Sequence, residues 1–354
     1  MTGELDTRAL TERLSRDERA RAARLAGAAG PARFLGPAML VMFGALMLAI
    51  GAALGDALPM MAVLATALVG LAGVLVAIEL ARGRDAERIA LFADHNGMRF
   101  RRSVSEPRLA GVIFDIGSDR TAEFLVSGER GRPFTIANYR YTTGSGKHQQ
   151  THRWGYVELR LEHPLPHILL DATSNNGLFG SNLPVGFAKD QRLGVEGDFD
   201  EHFALYCPAG YERDALYLFT PDIMARFIDH AAALDVEIID DRLYLYAKRP
   251  LSTTDAATWR WLQSVIDAMT RKLDQWARWR DDRLLSLGSD PSAAAGAAPS
   301  GSSSATSGPP ALLRPPPGVA PPGRRLERGV PWGAIATIAI AAGAIVWIVA
   351  WASG

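Results

Sequence analysis

Three stretches of the chain are uncharged and almost wholly apolar. Residues 34–55 read FLGPAMLVMFGALMLAIGAALG, residues 58–78 read LPMMAVLATALVGLAGVLVAI, and residues 329–354 contain WGAIATIAIAAGAIVWIVAWA. Each holds roughly 20 apolar residues, the length of a helix that crosses a hydrocarbon core of about 30 Å. Only Asp56 charges the short turn between the first two. The pattern predicts a two-helix transmembrane hairpin at 34–81 and a third transmembrane helix at 329–352. A cleaved signal peptide does not fit, because the first run starts late and a second follows at once.

Between 82 and 287 the pattern shortens and changes period. Residues 79–95 keep helical spacing, with Ile89, Phe92 and Ala93 on one face, and Asn96-Gly97 supplies a left-handed stop. The second span therefore continues as a helical stem. MRFRR (98–102), AGVIFDIG (110–117), TAEFLVSG (121–128), RPFTIANYRYTT (132–143), THRWGYVELRLE (151–162), PHILLDA (166–172) and HFALYCP (202–208) read as strands. VEIIDDRLYLYA (236–247) reads as a hairpin turning at Asp240-Asp241. Residues 214–234 read as helical with a break at Pro221. Residues 254–283 read as a long helix with Leu262, Val265, Ile266, Met269, Leu273 and Trp276 on one stripe. The fold class is an α+β domain of mostly antiparallel strands plus helices, joined to three transmembrane α-helices.

Residues 288–323 hold nine prolines among many Ser, Ala and Gly residues and no aromatic residue. That composition predicts a disordered tether across 288–328. The N-terminal 1–33 segment is charged and helix-prone, with Leu10, Leu14 and Leu25 on one weakly apolar face, and its arginines suit an anionic lipid surface.

Charge then orients the chain. Arg8, Arg13, Arg16, Arg19, Arg21, Arg24 and Arg33 precede the first span. Arg82, Arg84 and Arg88 follow the second, and Arg324, Arg325 and Arg328 precede the third. The 55–59 turn and the C-terminal tail carry no positive charge. The positive-inside rule puts the N-terminus and the 82–328 region in the cytoplasm and the C-terminus outside a bacterial plasma membrane. Trp332, Trp347 and Trp351 fall near the expected interfaces. Small residues at four-residue spacing (Gly51 and Gly55, Gly73 and Ala77, Ala339 and Gly343) suit close helix packing, within the chain or in a homo-oligomer. Net charge is +0, so no global basic excess argues for a nucleic-acid partner. Cys207 is the single cysteine, which excludes an intrachain disulfide and a cysteine-based zinc site.

The stretch TTGSGKHQQTH (142–152) carries the chain's most suggestive chemistry. A phosphate-binding loop of the Walker type requires a glycine where Tyr141 stands and a hydroxyl where His148 follows Lys147, so the pattern fails at both ends. The pairs His148 with His152 and His163 with His167 are four apart, which unites two side chains in a helix but separates them by roughly 13 Å in a strand. The reading is a β-hairpin tip, with Gly144, Ser145, Gly146, Lys147, His148, His152 and Arg153 as the candidate contact surface. No cofactor and no metal is expected there.

The segments ANYRYTTGSGKHQQTHRWGYVELRL, PHILLDA, FALYCPAGYERDALYLFTPDIMARFID and IIDDRLYLY resemble a group of uncharacterised actinobacterial membrane proteins with a YxYTTGSGKxxxTH hairpin. The resemblance covers roughly residues 35–285. It implies two N-terminal spans and a cytoplasmic domain, and it carries no assigned activity. The function expected is a non-catalytic, membrane-anchored binding, scaffold or sensor domain, with the lipid bilayer and a protein partner as its contacts. The alternative is a membrane-bound enzyme acting on a nucleotide or lipid-linked substrate, with Lys147, His152 and Arg153 as the only groups to name.

Overall fold

The computed structural model describes residues 5–27, 30–55, 57–129, 131–173, 181, 183–187, 191–194, 199–212, 215–216, 234–271 and 326. The third span, nearly all of the 288–328 tether, Trp276 and most of 214–234 lie outside the described residues. Two helices among the described residues are long and apolar enough to cross a membrane. They are α3 (Leu35–Leu54) and α4 (Leu58–His95), preceded by α1 (Arg8–Thr11) and α2 (Arg16–Ala26).

α3 and α4 form a hairpin that meets along small residues. Pro37, Gly44 and Gly51 are the buried positions of α3, and Ala65 and Ala72 are their counterparts in α4. Seven-residue spacing keeps one seam facing its partner. A Cβ on Gly51 would lie 2.7 Å from the Met61 Cβ, so the backbones close to a distance only glycine allows. Gly55 makes the turn at φ +64, whereas Gly73 meets nothing within 4 Å. Large apolar side chains point away from the seam, with Leu35, Met42 and Val63 more than half exposed.

α4 runs unbroken for 38 residues. Past the apolar half its surroundings change: Ile89, Leu91, Phe92 and Ala93 are all 0% exposed. The helix stops as the sequence predicts. Gly97 adopts φ +66, Met98 N–H donates to Ala93 O at 2.8 Å, and Gly97 N–H donates to Asp94 O at 3.1 Å. This is the paired-bond motif that satisfies the last carbonyls of a helix.

The N-terminal helices pack on this lower half of α4. Ser15 and Glu18 form a reciprocal capping box for α2. The packed face is set by alanine: Ala26, Ala86 and Ala90 form one cluster, and Ala22 joins the main core. Leu10 is buried, but Leu25 faces out. The Arg88 guanidinium donates to the carbonyls of Ala9, Leu10 and Glu12, each at 3.0 Å, and so caps α1.

Among the described residues seven antiparallel strands form one sheet, β1 (Arg99–Ser105), β2 (Ser118–Gly128), β3 (Phe134–Thr143), β4 (Gln150–Ala172), β5 (Arg192–Leu193), β6 (Phe203–Tyr206) and β7 (Asp235–Ala247). A short α5 (Phe199–His202) precedes β6. The 23-residue β4 is the spine, with β3 and then β6 along one edge and β7 along the other. One face is aliphatic, with Ile136, Val157, Leu159, Leu243 and Leu245 packed on α4 and on α6 (residues 256–271). Leu262, Val265, Ile266 and Met269 of the expected stripe are buried there, and Phe92 meets Trp259 at 4.6 Å between ring centroids. The other face is aromatic, carrying Tyr139, Tyr141, Trp154, Tyr156, Tyr244 and Tyr246.

Three strand expectations are corrected. Residues 110–117 form no strand but a plug of turns, with Gly111 at φ +122 and Gly117 at φ +68. Its Val112, Ile113 and Phe114 are buried on the aromatic face. A continuous apolar run reads as a buried strand, yet a plug needs no alternation either. The expected hairpin at Asp240-Asp241 is one continuous strand. Asp240 takes φ +54 opposite Leu165, where β4 also slips in register. The residues 151–162 and 166–172 are likewise one strand, not two.

Candidate functional site

The 142–152 stretch is a hairpin, and its register is regular up to Thr143 opposite Gln150. Gly144 sits at φ +77, and a Cβ there would come within 2.3 Å of His148 O, so this position demands glycine. A 3₁₀ turn over Gly146–His148 closes the tip. Gly144, Ser145, Gly146, Lys147 and His148 are exposed. His152 does not join them. Its ring stacks on Tyr141 at 4.8 Å, and Nε2 lies 2.7 Å from Thr143 Oγ1. Burial, and secondarily the Lys248 ammonium, hold its pKa below the ordinary 6.5. Arg153 is exposed one position further along β4, where neighbouring side chains point to opposite faces. The candidate residues thus divide into a free tip and a strand histidine already engaged by its neighbours.

A second group was hidden in the sequence. The Glu237 carboxylate is 1% exposed and accepts from Val112 N–H at 2.8 Å and the Tyr246 hydroxyl at 2.7 Å. His167 Nε2 lies 2.7 Å from its other oxygen, and Leu326 N–H donates to His167 Nδ1 at 3.1 Å. A nitrogen that accepts carries no proton, so the imidazole is neutral and donates through Nε2–H. Three donors converge on one carboxylate. Burial and then the Glu237 charge push the Tyr246 hydroxyl well above its ordinary pKa, which keeps it a donor. The adjoining cavity of about 210 Å³ is closed in part by Leu326, from the stretch ahead of the expected third span. Both imidazole nitrogens and both carboxylate oxygens have hydrogen-bond partners within the fold. Among the described residues no three His, Cys, Asp or Glu side chains converge as metal ligands.

A third feature lies where the helical hairpin meets the domain. A cavity of about 540 Å³ is lined by Arg33, by Glu79 and Arg82 of α4, by Arg101 and Arg102 of β1, by Glu123 and Phe124 of β2, and by the end of α2. Arg102 is held by bonds from Nε to Ala26 O at 3.2 Å and from its terminal nitrogen to Gly27 O at 3.4 Å. Burial, and then the nearby Arg33 charge, lower its pKa. Arg33 and Arg82 stand out in the sequence only as flanking charges, and Arg101 and Arg102 only as strand residues. Nothing in local spacing reveals that they converge.

The fold and these features define a class, an α+β domain carried on an apolar helical hairpin. No family model matches the chain, and no curated protein matches it. Among solved structures, the mycobacterial trehalose monomycolate transport factor A, TtfA, matches with 14% identity and a TM-score of 0.34, over 52% of this chain and 87% of that one. A likeness of that size fixes neither fold nor function.

Proposed function

We propose that this chain is an integral membrane protein whose α+β domain is a non-catalytic binding platform, held at the cytoplasmic face of a bacterial plasma membrane and offering residues 144–149 to a protein partner. The continuity of α4 carries the reading. One helix has an apolar, outward-facing half from Leu58 and a second half locked into the core by Ile89, Leu91 and Phe92. A helix without a break transmits position, so a bilayer around the first half constrains the height and tilt of the domain. The arginine-rich flanks support the cytoplasmic side. The exposed tip supports a contact role, since a polar loop on a rigid hairpin is a ready binding element. The saturated Glu237–His167 network supports a structural rather than catalytic use of the buried titratable groups. Membership in the actinobacterial group that Tyr139–His152 resembles is part of the proposal.

The test is site-specific photo-crosslinking of the full chain in intact membranes. A photoreactive residue replaces Lys147 in one variant and Glu129, exposed beyond the other end of β3, in another. A cross-linked species obtained from position 147 and absent from 129 is expected, in membranes that retain the chain through alkaline carbonate extraction. Release by carbonate refutes the anchor. Retention with no adduct specific to position 147 refutes the tip as the contact surface.

A further inference from the structure

The cleft at the base of the domain carries a charge pattern that its own residues do not resolve. Four guanidinium groups line it against two carboxylates. Both carboxylates are already engaged, Glu79 by Arg82 at 3.1 Å and Glu123 by Arg140 at 3.0 Å. Among the described residues Arg33, Arg101 and Arg102 have no carboxylate at ion-pair distance. Arg33 Nε is buried with no hydrogen-bond partner, and the guanidinium lies over the Phe34 ring at 4.6 Å. Buried polar atoms are nearly always satisfied, so the orphaned donor calls for an acceptor, a water or an anion, and the uncompensated positive charge around it favours the anion. Arg102 spends two of its five donors on the end of α2 and keeps the others.

The location selects the chemistry. The uncharged part of α4 ends at Ile78, and Arg82 lies four residues on, about 6 Å further along the axis. Arg33 stands two residues before α3 begins. Both therefore sit at headgroup depth if the two helices cross the bilayer. The geometry points to a phosphate-binding site formed by Arg33, Arg82, Arg101 and Arg102, which takes the phosphate of an anionic lipid headgroup or a free phosphate anion. Planar guanidinium groups suit this ligand because they bind phosphate oxygens in pairs. The cavity of about 540 Å³ has room for a headgroup as well as its phosphate. The lipid source rests on the membrane reading above, while the phosphate chemistry does not.

Thermal melting of the detergent-solubilised full chain tests the site, with phosphatidylglycerol, phosphatidylcholine or inorganic phosphate added in turn. An anion-specific rise in Tm is expected, with phosphatidylcholine inert. Arg33→Gln and Arg101→Gln are expected to weaken that response at least about tenfold, the loss of one charge-assisted pair. The Arg101 side chain is exposed and makes no hydrogen bond among the described residues, so its variant keeps the basal Tm even if Arg33→Gln does not. A response to phosphatidylglycerol with inorganic phosphate inert assigns a lipid, and a response to inorganic phosphate assigns the anion itself. No anion-specific shift, or an equal shift in wild type and both variants, overturns the site. Carbonate extraction is scored separately, so a failed anchor is not mistaken for an empty cleft.

Discussion

Replacing Glu237 with Gln asks whether the buried network is built on a charge. The side chain keeps its shape and one acceptor oxygen. With that oxygen toward Val112 N–H and the Tyr246 hydroxyl, the new amide N–H faces His167 Nε2–H, donor against donor. Flipping the amide faces two donors instead of one. Moving the imidazole proton to Nδ1 only transfers the clash to Leu326 N–H. One unpaired buried donor remains in every arrangement, and the charge assistance is lost as well. An unsatisfied buried group costs about 1–3 kcal/mol and bonds to charged groups are the stronger ones, so the expected loss is about 2–3 kcal/mol. For a domain of about 150–250 residues that lowers Tm by roughly 4–12 °C. The assay is thermal unfolding of the full chain in detergent, followed by near-ultraviolet dichroism, with hydrogen exchange at the Leu326 amide as a local readout. Tyr246→Phe removes one donor of three and is expected to cost less, about 1 kcal/mol. Glu237→Gln melting within about 0.5 kcal/mol of wild type, with Leu326 still protected, refutes the reasoning.

Four other substitutions probe separate links. Gly155→Ala is expected to destabilise the domain by about 1–3 kcal/mol in the same melt, because its Cβ would lie 2.5 Å from Arg249 O and 2.7 Å from Leu251 N, both backbone atoms. Gly51→Leu should open the α3–α4 seam, read as loss of cross-linking between cysteines placed at Gly44 and Ala65, since Met61 already occupies the space. His152 has a folded pKa below 6.5, so it favours folding above that pH, and its contribution fades as the medium is acidified through 6.5. His152→Phe should flatten the fall in Tm between about pH 7 and pH 5. Lys147→Ala should leave the stability within about 0.5 kcal/mol of wild type, because the tip is exposed and bears no core contact.

Some of this architecture is written in local spacing and some is not. The end of α4 is legible because Asn96-Gly97 is a local signal whose hydrogen bonds close within five residues. The α6 stripe is legible for the same reason, since Leu262, Val265, Ile266 and Met269 repeat at helical period. The hairpin tip is legible because the strand periods on either side are clean. The cleft is not, since its arginines come from the approach to α3, from α4 and from β1, and only the packing of α4 and α2 against the sheet brings these together. Glu237 and His167 are hidden likewise: they are 70 residues apart and meet only because β4 and β7 are paired.

The misread hairpin at Asp240 has a more specific cause, and it bears on how the domain keeps two cores. Along β7, Val236 and Ile238 join the helix-side core, but so do Leu243 and Leu245, so the parity changes between them. Along β4, Leu159 and Leu161 face the helices, and beyond the irregularity Ile168 and Leu170 do. A slip in one strand alone would turn its remaining side chains to the wrong face. Here both strands slip at the same level, around Leu165 opposite Asp240, and the faces are restored on the far side. That paired bulge is why Tyr244 and Tyr246 can line the aromatic face while Glu237, on the other side of the slip, reaches the same face and binds Tyr246. A single-sequence reading sees alternation fail at Asp240-Asp241 and infers a turn. The physical constraint that forbids the turn lies on the opposite strand, in residues 160–168, and no local window contains both.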